Sequence, residues 1–296
     1  MPTDAGRYTY TVPPPGFRLP VETRLGAVRL QVADLARSID YYSRVIGLRV
    51  LARTSTTATL GAHGDATPLV ELHERAGATP VPRRGRLGLY HFALLLPDRA
   101  SLGRFLAHLG VISEHVGMAD HLVSEAIYLT DPDGLGIEVY ADRPRSAWPM
   151  RGPGLGMATD PLDVRGLLRA GGDAPWTGAP AGTRIGHVHL YVGDLDVGAA
   201  LFHRALGLDR VVLEGVPGAL FLSAGGYHHH LGTNTWAARA PVAVEGDARL
   251  LEWTIVVPTR ADVDAAVRSL VNAGYAVTDA AVADPWGTRV RITDQQ

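Results

Sequence analysis

Twelve histidines and thirty Asp and Glu residues stand in a 296-residue chain that contains no cysteine. Thiolate zinc sites, cysteine nucleophiles and disulfide frameworks are excluded, so imidazole and carboxylate are the ligand chemistry that remains. Two stretches concentrate it. "YHHHL", Tyr227 to Leu231, sets three histidines in succession, and "GIEVY", Gly136 to Tyr140, sets Glu138 between two β-branched residues. Three consecutive strand residues cannot all reach one ion, because side chains alternate between faces. His228 and His230 would share one face and His229 the other, unless a bulge intervenes. Glu138 poses a different question, since a lone carboxylate in an apolar strand is costly to bury unless it pairs or binds a metal.

The elements that must position these groups emerge from an internal repeat. "LGAVRLQVADLARSIDYYSRVIGL" from Leu25 aligns without a gap on "IGHVHLYVGDLDVGAALFHRALGL" from Ile185, with Gly26/Gly186, Val28/Val188, Asp34/Asp194 and Gly47/Gly207 identical. Each copy opens with period-two alternation, continues with an Asp suited to cap a helix, and closes that helix at Gly. Short strand-like runs follow, giving a βαβββ unit. Two further copies begin at Gly88 and Leu250, and share the turns "DPDG" at Asp131 and "DPWG" at Asp284. The expected fold is α+β, with four βαβββ modules in two halves. Residues 1–24 form an N-terminal arm, 25–142 modules one and two, 143–184 a Pro/Gly-rich linker with a short helix near Val164 to Ala170, and 185–296 modules three and four.

Copies on one scaffold differ most where they do different work. The aligned position on the opening strand is Ala27, His91, His187 and Glu252, in module order; on the closing strand it is Glu71, Glu138, roughly Gly232, and Arg291. Modules two and three thus supply two imidazoles and one carboxylate, the facial set that suits Fe(II) or Mn(II) with positions left open for substrate and oxidant. A lone His at a strand start is more often a hydrogen-bonded structural residue; His91, His187 and Glu138 at repeat-equivalent places point instead to ligands. His189, on the same strand face as His187, reads as structural. No role is assigned to His63, His73, His108, His115 or His203.

These residues resemble the vicinal oxygen chelate superfamily, whose paired βαβββ modules form a cup around one divalent metal, and within it the extradiol ring-cleaving dioxygenases. "HLVSEAIYLTDPDGLGIE", His121 to Glu138, satisfies the extradiol signature apart from Ala119 two places before its His. "GLYHFALLLPDR", "IGHVHLYVGDL" and "SAGGYHHHLG" are similar to the four-module bacterial catechol 2,3-dioxygenases. The resemblance implies His91, Glu138 and His187 as ligands to Fe(II), with Mn(II) as the alternative ion, and His121 and Tyr128 as catalytic residues beside them. It selects His229 as the acid-base residue; strand parity leaves His228 and His230 as competing candidates, for substrate contact. Many relatives carry the metal in the last two modules, whereas module four here has Glu252 and Arg291. Modules two and three are therefore expected to pair around the metal, and one with four.

The activity implied is cleavage of a small aromatic diol by O2 next to the diol, to a semialdehyde. A glyoxalase-like metal-dependent lyase or isomerase, or a sequestering protein on the same fold, is the alternative. A formal charge of −2 gives no support to nucleic-acid binding. No stretch approaches the roughly 20 apolar residues of a spanning helix, so no membrane partner and a cytoplasmic location are expected; a homo-oligomer is left open.

Overall fold

The alternation of Val28, Leu30 and Val32 produces the strand Arg24–Val32, and the aligned segments form Gly88–Leu95, Arg184–Tyr191 and Arg249–Val256 in the computed structural model. It describes residues 9–214 and 216–295, so the first eight residues of the expected arm lie outside the described residues. A helix follows each opening strand: Leu35–Arg44, Arg99–Val111, Leu195–Ala199 with a π-helical continuation Ala200–Ala205, and Arg260–Asn272. The side chains of Asp34, Asp98 and Asp194 accept hydrogen bonds from first-turn backbone N–H groups, and Thr259 does the same in a capping box with Asp262. Gly47 and Gly207 take φ of 85° and 93°, where a side chain would be strained, and turn the chain away from the helix.

The modules do not pair in chain order. One sheet has nine strands, with Arg184–Tyr191 of module three antiparallel to Gly88–Leu95 of module two at its centre. A second has eight, with Arg249–Val256 of module four against Arg24–Val32 of module one, and a small three-stranded sheet joins Met150–Arg151, Gly154–Gly156 and Leu213–Glu214. Each of the two larger sheets thus draws one module from each half of the sequence, the pairing the repeat comparison anticipates. Thr11–Val12 adds to the edge of the nine-stranded sheet beside Asp209–Val211, and Arg18 ion-pairs with Asp209 at 2.6 Å, fastening the N-terminal segment to module three. The linker contains the helix Val164–Gly171, packed against Arg99–Val111; a Cβ on Gly103 would lie 2.2 Å from the Leu167 carbonyl oxygen, so only glycine permits that approach.

Strand alternation separates two surfaces of the nine-stranded sheet. Phe92, Leu94, Ile137, Val139, Val188 and Leu190 enter the main apolar core with helix residues such as Leu102 and Phe105. His91, Ala93, Glu138, His187 and His189 occupy the opposite surface. Among the described residues no helix is long and apolar enough to cross a membrane.

Candidate active site

His91 and His187 reach one surface because His187 opposes Ala93 and His189 opposes His91 in regular register, and each strand carries one extra residue immediately before its histidine. Ile185 pairs with Leu94 and His187 with Ala93, so Gly186 is extra; His189 pairs with His91 and Leu190 with Leu89, so Tyr90 is extra. These two bulges re-aim the strands symmetrically about the module interface. Gly186 is required there: a Cβ on it would fall 1.8 Å from the Tyr140 hydroxyl oxygen. Glu138 pairs with Ala93 from the closing strand Gly136–Asp142, and Tyr128 pairs with Glu138 from the next strand. Both therefore project to the surface that bears the histidines.

The Nε2 atoms of His91 and His187 each lie 3.1 Å from Glu138 Oε2 and 3.3 Å from one another. All three residues are buried. Burial alone would raise the Glu138 carboxyl, but the charge and hydrogen bonds of His187 and His91 outweigh it and hold the group well below the usual carboxylate range. Burial also lowers His91, against the pull of Glu138. Neither His91 nor His187 has a hydrogen-bond partner at Nδ1 among the described residues, so their polar contacts concentrate at Nε2. Three electron-rich atoms at this mutual spacing fit one divalent cation bonded to each at about 2.0–2.2 Å. Among the described residues this is the His/Asp/Glu group that brings three such atoms together.

A cavity of about 930 Å³ opens over this cluster, and His91, Glu138, His121, Tyr128, His189 and His229 are among its lining residues. His121 Nδ1–H donates to the Ala158 carbonyl at 2.6 Å, which leaves Nε2 to accept from the Tyr128 hydroxyl at 2.5 Å. His229 is buried beside His187, with ring centroids 4.1 Å apart, and against Phe221 at 5.1 Å. Burial first, then the neighbouring histidines His187 and His228, lower His229 well below the ordinary imidazole range.

His228 and His230, expected to contact substrate, lie off the cavity lining. Residues 227–230 are irregular and the strand begins only at Leu231, so strand parity does not apply to them. His228 turns to Asp142, with Nε2 2.9 Å from Oδ1, and His230 Nδ1 accepts from the Ala224 N–H; neither lines the cavity. His228 also contacts His229. Asp142 Oδ1 accepts a hydrogen bond from His228 Nε2–H, and with His228 neutral its Nδ1 accepts from His229 Nδ1–H across the 2.7 Å contact, the arrangement in which His229 Nε2 carries a lone pair.

His189, expected to be structural, lines the cavity with its Nε2 accepting from Asn234 Nδ2 at 2.9 Å. It faces Gly232 across the sheet, the same register in which Ala93 faces Glu138. A Cβ on Gly232 would sit 2.9 Å from the His189 ring, so the imidazole fills the place where module three would otherwise present a fourth ligand. In modules one and four the equivalent residues form an ion-pair cluster: Glu252 meets Arg291 at 2.7 Å and Arg29 at 3.5 Å, and Arg29 meets Glu71 at 2.9 Å.

The profile of the Glyoxalase/Bleomycin resistance protein/Dioxygenase superfamily matches residues 24–139 and 184–296. The chain belongs to this superfamily. It is 44% identical over 260 residues to catechol-2,3-dioxygenase of Bacillus subtilis (strain 168), covering 87% of this chain and 91% of that protein. Among solved structures, a provisionally named dioxygenase from Bacillus subtilis subsp. subtilis str. 168 superposes with a TM-score of 0.66 at 17% identity, over 95% of this chain and 87% of the other. Glyoxalase I from Zea mays gives 0.52 at 18% identity, over 92% of each chain. At those identities the structural likeness concerns the fold alone.

Proposed function

We propose that the protein is an extradiol dioxygenase that cleaves a catechol with O2, using Fe(II), or Mn(II) as the alternative, held by His91, Glu138 and His187. The observation that supports this reading most is the convergence of three ligand atoms within 3.3 Å on a cavity that also exposes His229. The name of the 44% identical relative supports it independently. When bound, such a metal would hold both oxygens of the diol beside O2 and carry electron density from ring to oxygen.

The protein supplies the proton chemistry. His229 Nε2, bare in the arrangement set by Asp142 and His228, accepts a proton from the diol as it binds and returns it as the ring opens. Tyr128 and His121 form a hydrogen-bonded pair beside Glu138, placed to contact a substrate oxygen. Gly232 argues against the lyase or isomerase reading, because the position that would offer a fourth ligand has no side chain and is closed by His189. Sequestration alone would not need the ligand set next to a base.

The test is anaerobic loading with Fe(II) followed by catechol and air. O2 uptake with a yellow ring-opened product is expected; no uptake by iron-replete protein across several catechols would overturn the reading.

A further inference from the structure

The cavity is far larger than a single catechol ring, near the top of the roughly 300–1,000 Å³ range that encloses drug-sized ligands. Its outer part has a distinct chemistry. Tyr90 lies beside His91 with ring centroids 4.6 Å apart and beside Tyr191 at 4.8 Å, both pairs tilted, so two aromatic rings continue from His91 along the cavity lining. Tyr191, Arg83 and Arg84 all line this cavity, so the aromatic wall and two guanidinium groups share one space. Arg84 has φ of 59°, a left-handed backbone that a long side chain rarely adopts and that the segment entering module two imposes.

The charges around the cavity are unequal in their freedom. Arg86 is spent on Asp247, with two hydrogen bonds to the carboxylate. Glu114 and exposed His115 belong to the loop ahead of Gly117–Asp120, where the carboxylate acts on Tyr41. Arg83 and Arg84 are exposed, line the cavity, and have no carboxylate partner among the described residues. A guanidinium with open donors that shares a cavity with an aromatic wall is suited to a carboxylate.

We infer that the preferred substrate is a catechol carrying a side arm of a few atoms that ends in a carboxylate, with the arm lying along Tyr90 and Tyr191 and the anion received by Arg83 and Arg84. This rests on the dioxygenase reading and names the substrate class of that same site. The ring attachment point is left to the test, which uses both 3- and 4-substituted catechols.

The experiment compares each 2-carboxyethyl catechol with its primary amide, a neutral analogue of the same shape. Two measurements are made on the wild type and on the Arg83→Ala/Arg84→Ala double variant: kcat/KM with iron-loaded enzyme, and binding by calorimetry under anaerobic conditions. For at least one isomer the wild type should favour the acid over the amide about tenfold or more in both, chiefly through KM, and the double variant should lose most of that ratio. Raised salt should shrink it further. Equal kcat/KM and equal affinity for acid and amide in the wild type would overturn the inference, and so would a preference that survives in the double variant. If no catechol is turned over while the acid still binds more tightly than the amide, the dioxygenase reading falls and the anion pocket stands.

Discussion

At the scale of single residues, Glu138 and Glu252 occupy equivalent layers of the two sheets and have opposite partners. Glu138 faces two imidazoles, whereas Glu252 is neutralised by Arg291 and Arg29. Replacing Glu138 by Ala should abolish metal retention, read by metal analysis after gel filtration. Glu252→Ala should leave metal content unchanged and cost about 1–2 kcal/mol in urea denaturation, a discounted figure because its arginine partners are a third or more exposed. Loss of metal from Glu252→Ala would show the module pairing of the site to be misread. Asp142 acts at one remove, through His228. Asp142→Asn leaves one acceptor oxygen where the carboxylate receives both His228 Nε2–H and the Tyr227 hydroxyl; with His228 orienting His229, kcat should fall about tenfold or more and the pH–rate profile should move, with metal content retained. His91, Glu138 and His187 are legible in the sequence because a repeat reveals which positions break its symmetry. The use of His228 is not, since its partner Asp142 lies 86 residues earlier and the run that contains it does not form a strand.

At the scale of elements, the site depends on two bulges in a strand pair. Gly186→Ala would drive a methyl group into the Tyr140 hydroxyl, which itself donates to Tyr227, whose own proton goes to Asp142. Either the bulge or the Tyr140 network must shift. The expected outcome is a loss of about 1–3 kcal/mol in stability and weaker metal retention, because His187 is the next residue; unchanged metal affinity would show that the bulge does not aim it. Period-two patterning exposes the opening strands to sequence reading, and aspartate caps and glycine stops expose the helices that follow them. Bulges leave no such trace, because an extra residue preserves composition while changing register. The cavity wall is hidden for a related reason: Arg83 and Arg84 come from the connection between modules and Trp236 from beyond a closing strand, so no repeat position marks them.

At the scale of the whole molecule, the buried ionisable groups make stability depend on pH in two opposing ways. Burial pushes His230 down to about 3, so between pH 6.5 and 3 the unfolded chain binds a proton that the folded chain refuses, and stability is lost on acidification. Burial pushes Asp131 and Asp284 up to about 7 despite the backbone N–H groups they accept. Between about pH 4 and 7 the folded state then holds protons that the unfolded state has released, and stability falls as pH rises. Asp284 Oδ2 has no hydrogen-bond partner among the described residues, while Oδ1 accepts from the backbone N–H groups of Trp286 and Thr288. Asp284→Asn keeps an acceptor for those two groups and removes the titration. It should be more stable than the wild type at pH 8 by on the order of 1 kcal/mol or more, a gain that vanishes near pH 4 in urea denaturation.

The crossed pairing of modules also governs how the chain leaves the ribosome. The opening strand of module two has no sheet neighbour on one side until Arg184–Tyr191 has been made, and that of module one waits until Arg249–Val256 has been made. Throughout synthesis of the linker, both strands present unpaired backbone edges next to apolar core, the surface on which nascent chains stick to one another. Slowing translation between these points should increase dependence on chaperones. A stop codon before Arg249 should release a chain that carries His91, Glu138, His187 and His229 yet has one sheet unclosed.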